Sequence, residues 1–237
     1  MASVGFDRFE ALGKFDHLEP RVRTHLKNVY SCLFIALLGA TAGAYLNVFF
    51  GVMQEVGFLT GLISVGLCVW LRATPHESKT VGKRIAMLTG IGFLTGVSFG
   101  PLIRYAAYLD PSIIMTAFLG ASIIFGCFSL TALYSSDRKW LYLGGTLMSV
   151  LMYMTIASFL NIFFRSQLLF QAQIYIGLVL FCLFVLYDTQ MIIEKRLRGD
   201  DDYIWHSIDL FLDFAHIFRY ILIILSQKEE GKKKRRN

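Results

Sequence analysis

Long apolar blocks separated by short polar loops dominate the chain. Crossing the hydrocarbon core of a membrane as a helix takes roughly 20 apolar residues. Six blocks qualify, at about 30–50, 56–73, 85–104, 112–134, 140–163 and 168–188. A seventh block, about 203–226, is as long but contains ionisable residues. The pattern predicts an all-α polytopic membrane protein with a cytosolic N-terminal segment at 1–29, a transmembrane bundle at 30–226 and a basic tail at 227–237.

Basic residues alternate between the loops, and loops rich in lysine and arginine face the cytosol. The N-terminal segment and the loops after the second, fourth and sixth blocks are basic, whereas the intervening loops carry one basic residue or none. The alternation predicts a cytosolic N-terminus. The tail GKKKRRN, residues 231–237, conflicts with it if the seventh block spans fully. We favour a re-entrant seventh segment with a cytosolic tail, and a full span remains the alternative.

Composition agrees with a membrane protein. The chain is 55% hydrophobic and 17% charged, with a mean hydropathy of +0.55, whereas a soluble domain carries about a quarter charged residues. All four cysteines lie in apolar blocks, where thiols are usually buried hydrophobes. The sequence contains no zinc-spaced ligand cluster, phosphate-binding glycine loop or nucleophile elbow. We therefore expect no cofactor and no nucleic-acid partner.

Glycines recur every fourth residue in two of the blocks. They are Gly39 and Gly43 in the first block, and Gly92, Gly96 and Gly100 in the third. Small residues at this spacing let helices approach closely in lipid, so we predict that these glycines pack helix against helix.

The seventh block carries four ionisable residues on one side of a helix. His206, Asp209, Asp213 and His216 are spaced by three or four, which lines them up as one polar stripe. Such side chains at membrane depth face protein or water, so the stripe should face the bundle interior. Asp213 lies about 15 Å along the helix from Tyr203 and is deeper than Asp209.

Asp188 and Arg72 lie on the same predicted side of the membrane and can complete a cluster with this stripe. If Asp188 and Asp213 meet, they cannot cheaply both ionise, so the pair titrates as a unit. Arg72 would favour the ionised carboxylates and act as a latch. Ionised carboxylates can also bind calcium. We therefore predict Asp188 and Asp213 as a pH-sensing pair and as candidate calcium ligands.

Each of these residues also has a simpler interpretation. Asp188 can be a helix-end charge, Asp209 can be wetted or paired with a basic loop residue, and Arg72 can extend to the interface without a partner. His206 and His216 belong to a residue type that titrates between pH 5 and 8, but they can equally be ordinary hydrogen-bond partners.

Five segments carry a resemblance that covers nearly the whole chain. They are WLRATPH (70–76), FLTGVSFGP (93–101), LGGTLMS (143–149), YDTQMIIEK (187–195) and GDDDYIWHSIDLFLDF (199–214). Their order and spacing closely resemble the Bax inhibitor-1 family, also called transmembrane Bax inhibitor motif proteins, and in particular its endoplasmic-reticulum type. The resemblance implies six helices around a central seventh. It also implies an aspartate pair at Asp188 and Asp213, with Arg72 as its latch.

The same resemblance implies a function in the endoplasmic-reticulum membrane. The family is associated with suppression of apoptosis, lowering of luminal calcium through a pH-sensitive leak, and response to stress. Expected partners are membrane lipid, calcium, anti-apoptotic Bcl-family proteins, calcium receptors and stress sensors, and a homo-oligomer is also possible. The basic tail could bind anionic lipid, act as a retrieval-like signal or contact a partner through Lys232, Lys233, Lys234, Arg235 and Arg236.

Three functions compete at this point. The first is a calcium leak that opens when protonation discharges Asp188 and Asp213 and frees the central helix. The second is a non-conducting scaffold that binds death regulators or calcium receptors. The third, an intramembrane aspartyl protease, needs a Gly-x-Gly-Asp motif, and the nearest segment, 197–200, lacks the first glycine. We expect no enzymatic activity.

Overall fold

The computed structural model describes residues 18–51, 57–135 and 139–236. These ranges form seven α-helices, a short 3-10 helix at Lys139–Leu143 and no strand. The helices are α1 Pro20–Phe50, α2 Gly57–Ala73, α3 Val81–Leu109, α4 Ser112–Tyr134, α5 Gly144–Phe164, α6 Gln167–Leu197 and α7 Tyr203–Arg236. Most of the predicted N-terminal segment (1–17), the loop base Arg138 and the last residue, Asn237, lie outside the described residues.

Hydropathy confirms the predicted class. Within the described ranges five helices are long and apolar enough to cross a membrane, namely α1, α3, α4, α5 with its preceding turn, and α6. Helix α2 is a shorter apolar helix, and α7 is the one that carries the polar stripe. The chain is an all-α polytopic membrane protein.

Helix α1 begins ten residues before its apolar block because its first turns are amphipathic. Pro20 occupies the first turn, where its fixed φ angle suits a helix and its missing N–H is no loss. Val22, Leu26 and Val29 then recur at helical spacing and are buried. The helix ends at Gly51, whose φ of 63° is left-handed and whose N–H donates to the Asn47 carbonyl at 3.1 Å.

Glycines bring α1 and α3 into backbone contact, as the spacing predicts. A Cβ added to Gly96 would lie 1.9 Å from the carbonyl oxygen of Ala40, and one added to Gly92 would lie 2.3 Å from that of Ala36. On the opposite helix, a Cβ at Gly43 would lie 2.0 Å from the Phe93 carbonyl oxygen. Any side chain at these positions would push the two backbones apart.

Helix α7 is the centre of the bundle. It packs against α1, α3, α4 and α6, whereas α2 packs on α3 and α5 packs on α6. Leu210, Phe211, Ile217 and Leu222 of α7 have no exposed surface. Four of the six other helices therefore enclose α7, and the remaining two form an outer layer.

Helix α7 crosses the whole bundle beside α3. Near their beginnings, Arg84 Nη2 donates to Asp202 Oδ2 at 2.6 Å. Near their ends, Lys233 Nζ donates to the Leu109 carbonyl at 2.6 Å. We call the side where α1, α3 and α7 begin the start face, and the side where they end the end face.

The favoured expectation of a re-entrant seventh segment is therefore wrong. The 34 residues of α7 form one helix, which at about 1.5 Å per residue is long enough to cross the membrane and leave it. The expectation of a cytosolic tail came from counting basic residues, which treats the tail as a free segment. In the structure the tail is the last part of α7, and Lys233 contacts the end of α3. The tail and the beginning of α1 lie on opposite faces.

We predict that replacing Gly96 with alanine destabilises the bundle by about 1–3 kcal/mol, because overpacking displaces a backbone. Gly66→Ala in α2 is the matched control, because a Cβ there meets nothing within 4 Å. Thermal unfolding of the purified protein in detergent measures both. Equal unfolding temperatures for the two variants would contradict the backbone contact.

We predict that protease tags inserted after Ser78 and after Arg236 have opposite accessibility in sealed microsomes. Ser78 lies in the exposed α2–α3 loop at the start face, and Arg236 ends α7 at the end face. Permeabilised vesicles, in which both tags should be cleaved, are the control. Cleavage of both tags in sealed vesicles would show that α7 does not cross.

Candidate functional site

Asp213 of α7 and Asp188 of α6 meet inside the bundle. Asp213 is only 3% exposed, and Asp188 is half-buried. Their side chains are within hydrogen-bonding reach of each other. Ionised carboxylates only accept hydrogen bonds, so a bond between the two requires at least one proton. The arrangement can therefore hold a shared proton.

The Oδ2 atom of Asp213 is buried and accepts no hydrogen bond from a donor group among the described residues. An unpartnered buried oxygen is unfavourable, and more so when it is charged. The surroundings of Asp213 therefore penalise a second negative charge at this position.

Asp209 lies one helical turn closer to the start face and has a different environment. Its Oδ2 is 3.9 Å from Lys195 Nζ in the last turn of α6, and both side chains are about one-third exposed. Asp209 is thus the shallower of the two aspartates in the stripe and has a basic partner.

Arg72 does not reach the aspartate pair in this conformation. Its guanidinium lies 5.2 Å from the centre of the Trp205 ring, in cation–π geometry. Its positive charge acts on Asp209 and on Asp200. Across the described ranges, no ion pair joins Arg72 to Asp188 or Asp213. The predicted latch role of Arg72 stays a prediction.

His206 belongs to a separate cluster at the start face. Its Nδ1 is 2.9 Å from Nε2 of His25 on α1, and its Nε2 is 3.5 Å from Asp200 Oδ2. Burial opposes ionisation of Asp200, but the backbone N–H of Asp202 and the nearby His206 outweigh it, and the pKa of Asp200 falls below its usual range. His206 is therefore a contact between α7 and α1.

His216 lies on the other side of Asp213, toward the end face. Its ring stacks on Phe181 of α6 with centroids 4.1 Å apart. Three successive contacts therefore join α6 and α7, which run antiparallel. We call them the α6–α7 seam, which comprises Lys195–Asp209, Asp188–Asp213 and Phe181–His216.

Sequence reasoning missed a buried ion pair that fixes the beginning of α7. Arg84 is 1% exposed. It donates through Nη2 to Asp202 and contacts His76 Nδ1 through Nη1 at 2.7 Å. Asp202 also caps α7 by accepting the Trp205 N–H at 3.0 Å. The acidic run 200–202 before an apolar stretch is a helix-start signal that could have indicated the cap.

An open cavity of about 470 Å³ lies over this cluster at the start face. His25, His76, Arg196 and Tyr203 contribute to its walls. His206 is fully buried beneath this cavity and does not contribute to its walls.

The basic tail is helical and partly paired within α7. Lys232 contacts Glu229 and Lys234 contacts Glu230, at 2.8 and 2.6 Å. Tyr105 of α3 donates to Glu230 at 2.8 Å. Arg235 is exposed. Arg236 is the last residue of α7.

Comparison with known proteins identifies the family. The family model described as "Inhibitor of apoptosis-promoting Bax1" matches residues 22–230. Bax inhibitor 1 of Bos taurus is 49% identical, over 98% of this chain and 99% of that protein. Bax inhibitor 1 of Homo sapiens is 49% identical over 97% and 98%, and that of Arabidopsis thaliana is 42% identical over 97% and 93%. The chain belongs to this family.

Membership in the Bax inhibitor family confirms the resemblance seen in the five sequence segments. The match runs through every described helix. It includes the positions of Asp188 and Asp213 on the seam, and those of Arg84 and Asp202 at the start face.

We predict that Arg84→Met lowers the free energy of unfolding by about 3–5 kcal/mol, because it leaves Asp202 in the cluster without its cation. Adding Asp202→Asn should recover part of the loss. The control is Arg21→Met, whose side chain is 80% exposed and whose loss should cost at most about 1 kcal/mol. Denaturant unfolding in detergent measures all three, and equal stabilities of Arg84→Met and Arg21→Met would contradict the buried ion pair.

Proposed function

We propose that the chain suppresses apoptosis from the endoplasmic-reticulum membrane as a pH-sensitive calcium leak controlled by Asp188 and Asp213. The observation that carries the proposal is the buried carboxyl pair between the central helix α7 and its neighbour α6. Family membership supports the anti-apoptotic part, because the matching relatives are named Bax inhibitor 1.

The pair can control α7 because its hydrogen bond changes strength with protonation. With one shared proton, an ionised carboxylate accepts from a neutral carboxyl, and such charge-assisted bonds are roughly twice as strong as neutral ones. A second proton leaves only neutral hydrogen bonds. Acid therefore weakens the contact between α6 and α7 at Asp213 and favours displacement of α7.

Calcium fits this proposal as the transported ion rather than as a resident ligand. Calcium prefers about 6–8 oxygen ligands, and the seam brings together only two carboxylates at the pair. Within the described residues, no group of three or more His, Cys, Asp or Glu side chains could hold a metal ion. Passing calcium would compete with protons for the pair without binding tightly.

We predict that the purified protein in liposomes conducts calcium and that the flux rises as the pH falls from 8 to 6. Asp213→Asn removes one of the two carboxyl groups that titrate together, so its flux should no longer rise between pH 8 and pH 6. Asp110→Asn is the control. Asp110 sits in the exposed α3–α4 turn, where the Ser112 backbone N–H lowers its pKa, and this variant should keep the wild-type pH dependence.

Two results would overturn the proposal. If Asp213→Asn keeps the wild-type flux and pH dependence, the pair does not control the leak. If the wild-type protein passes no calcium at any pH, a non-conducting scaffold that changes calcium flow through its partners becomes the better explanation.

A further inference from the structure

The aspartate pair does not stand alone in the seam. Asp209 is four residues before Asp213 on α7, and therefore one turn away on the same face. Its negative charge acts on both members of the pair. Lys195, the partner of Asp209, also acts on Asp188. An ion pair at the edge of the membrane thus lies next to a proton-sharing pair inside it.

The two pairs differ in their access to water. The side chains of Lys195 and Asp209 are 34% and 33% exposed, whereas Asp213 is 3% exposed and has an unpartnered oxygen. The shallow pair can respond to the aqueous phase at the start face, and the deep pair cannot do so directly. Charges near a desolvated group act strongly because little water screens them.

Arg72 adds a second cation on the same side. Its charge acts on Asp209, while no ion pair joins it to Asp188 or Asp213 within the described part of the chain. The arginine expected to latch the aspartate pair lies over Trp205 and adds positive charge near the shallow carboxylate instead. The ionisable groups that act on Asp209 or on the pair are Lys195, Tyr187 and Cys182 from α6 and Arg72 from α2.

We propose that the Lys195–Asp209 ion pair is a positioning element that sets the pH at which Asp188 and Asp213 exchange their proton. Asp209 supplies a negative charge that favours the proton on the pair, and Lys195 supplies a positive charge that opposes it. Neither residue carries the shared proton. The opposing effects of these two charges set the pH of this proton exchange, which the proposed leak requires to lie between pH 6 and 8.

The test is an infrared titration of the protonated carboxyl band in the full-length protein reconstituted in lipid. The part of the band that Asp188→Asn and Asp213→Asn each abolish belongs to the pair. Asp209→Asn should move the midpoint of that band to lower pH, and Lys195→Gln should move it to higher pH. Each shift should be on the order of half a pH unit or more, and the double variant should lie close to wild type.

Opposite shifts are a signature that loss of structure cannot produce, because a merely structural role would move both variants the same way or neither. Lys79→Gln, an exposed lysine in the α2–α3 loop, is the matched control and should leave the midpoint unchanged. High salt should reduce both shifts, because the ion pair is partly exposed. Unchanged midpoints, or shifts in the same direction, would overturn the proposal.

Calcium flux can be measured in liposomes with the same variants. That measurement rests on the proposed leak, whereas the infrared titration does not. Opposite infrared shifts without any calcium flux would support the positioning role of Lys195 and Asp209 and contradict the proposed leak. If Asp209→Asn and Lys195→Gln both conduct calcium with the wild-type pH dependence, the leak is supported and the positioning role is contradicted.

Discussion

Water is scarce in the membrane core, so each ionisable side chain of α7 needs a partner on a neighbouring helix. Helix α6, which runs antiparallel to α7 in close contact, supplies the partners of Asp209, Asp213 and His216, whereas α1 supplies that of His206. The shallow carboxylate meets a lysine, the deep carboxylate meets a second carboxyl group, and the deeper histidine meets a phenylalanine. From the start face inward, the partner residues on α6 become less polar, from lysine to aspartate to phenylalanine.

This gradient explains how a central helix can keep so many ionisable groups. A helix with the same residues facing lipid would be expelled from the hydrocarbon. Close approach of α1 and α3 through glycine contacts builds one wall of the enclosure around α7. The anchor at Arg84 and Asp202 then fixes where α7 begins against that wall.

Periodicity in the sequence was enough to predict where the helices lie, the inward direction of the polar stripe and the greater depth of Asp213, but not the continuous course of α7 to Arg236. These features depend on neighbours along the chain, which hydropathy and helical spacing describe. The contacts of His25 with His206 and of Arg84 with Asp202 join residues 181 and 118 positions apart. No local pattern encodes such a pairing. The same holds for Arg72, whose position over Trp205 depends on how α2 sits against α7.

Helix α7 contains no proline, and its only glycine is Gly231 in the last turns, so it behaves as a stiff rod. Its first turn is pinned at Asp202, and its other end touches the last carbonyl of α3. Over a length of about 45 Å, a tilt of roughly five degrees about the pinned end moves the far end by about 4 Å. Such a tilt exceeds the reach of the bond between Lys233 and Leu109. A small tilt of α7 would therefore break the contact between Lys233 and Leu109 at the end face.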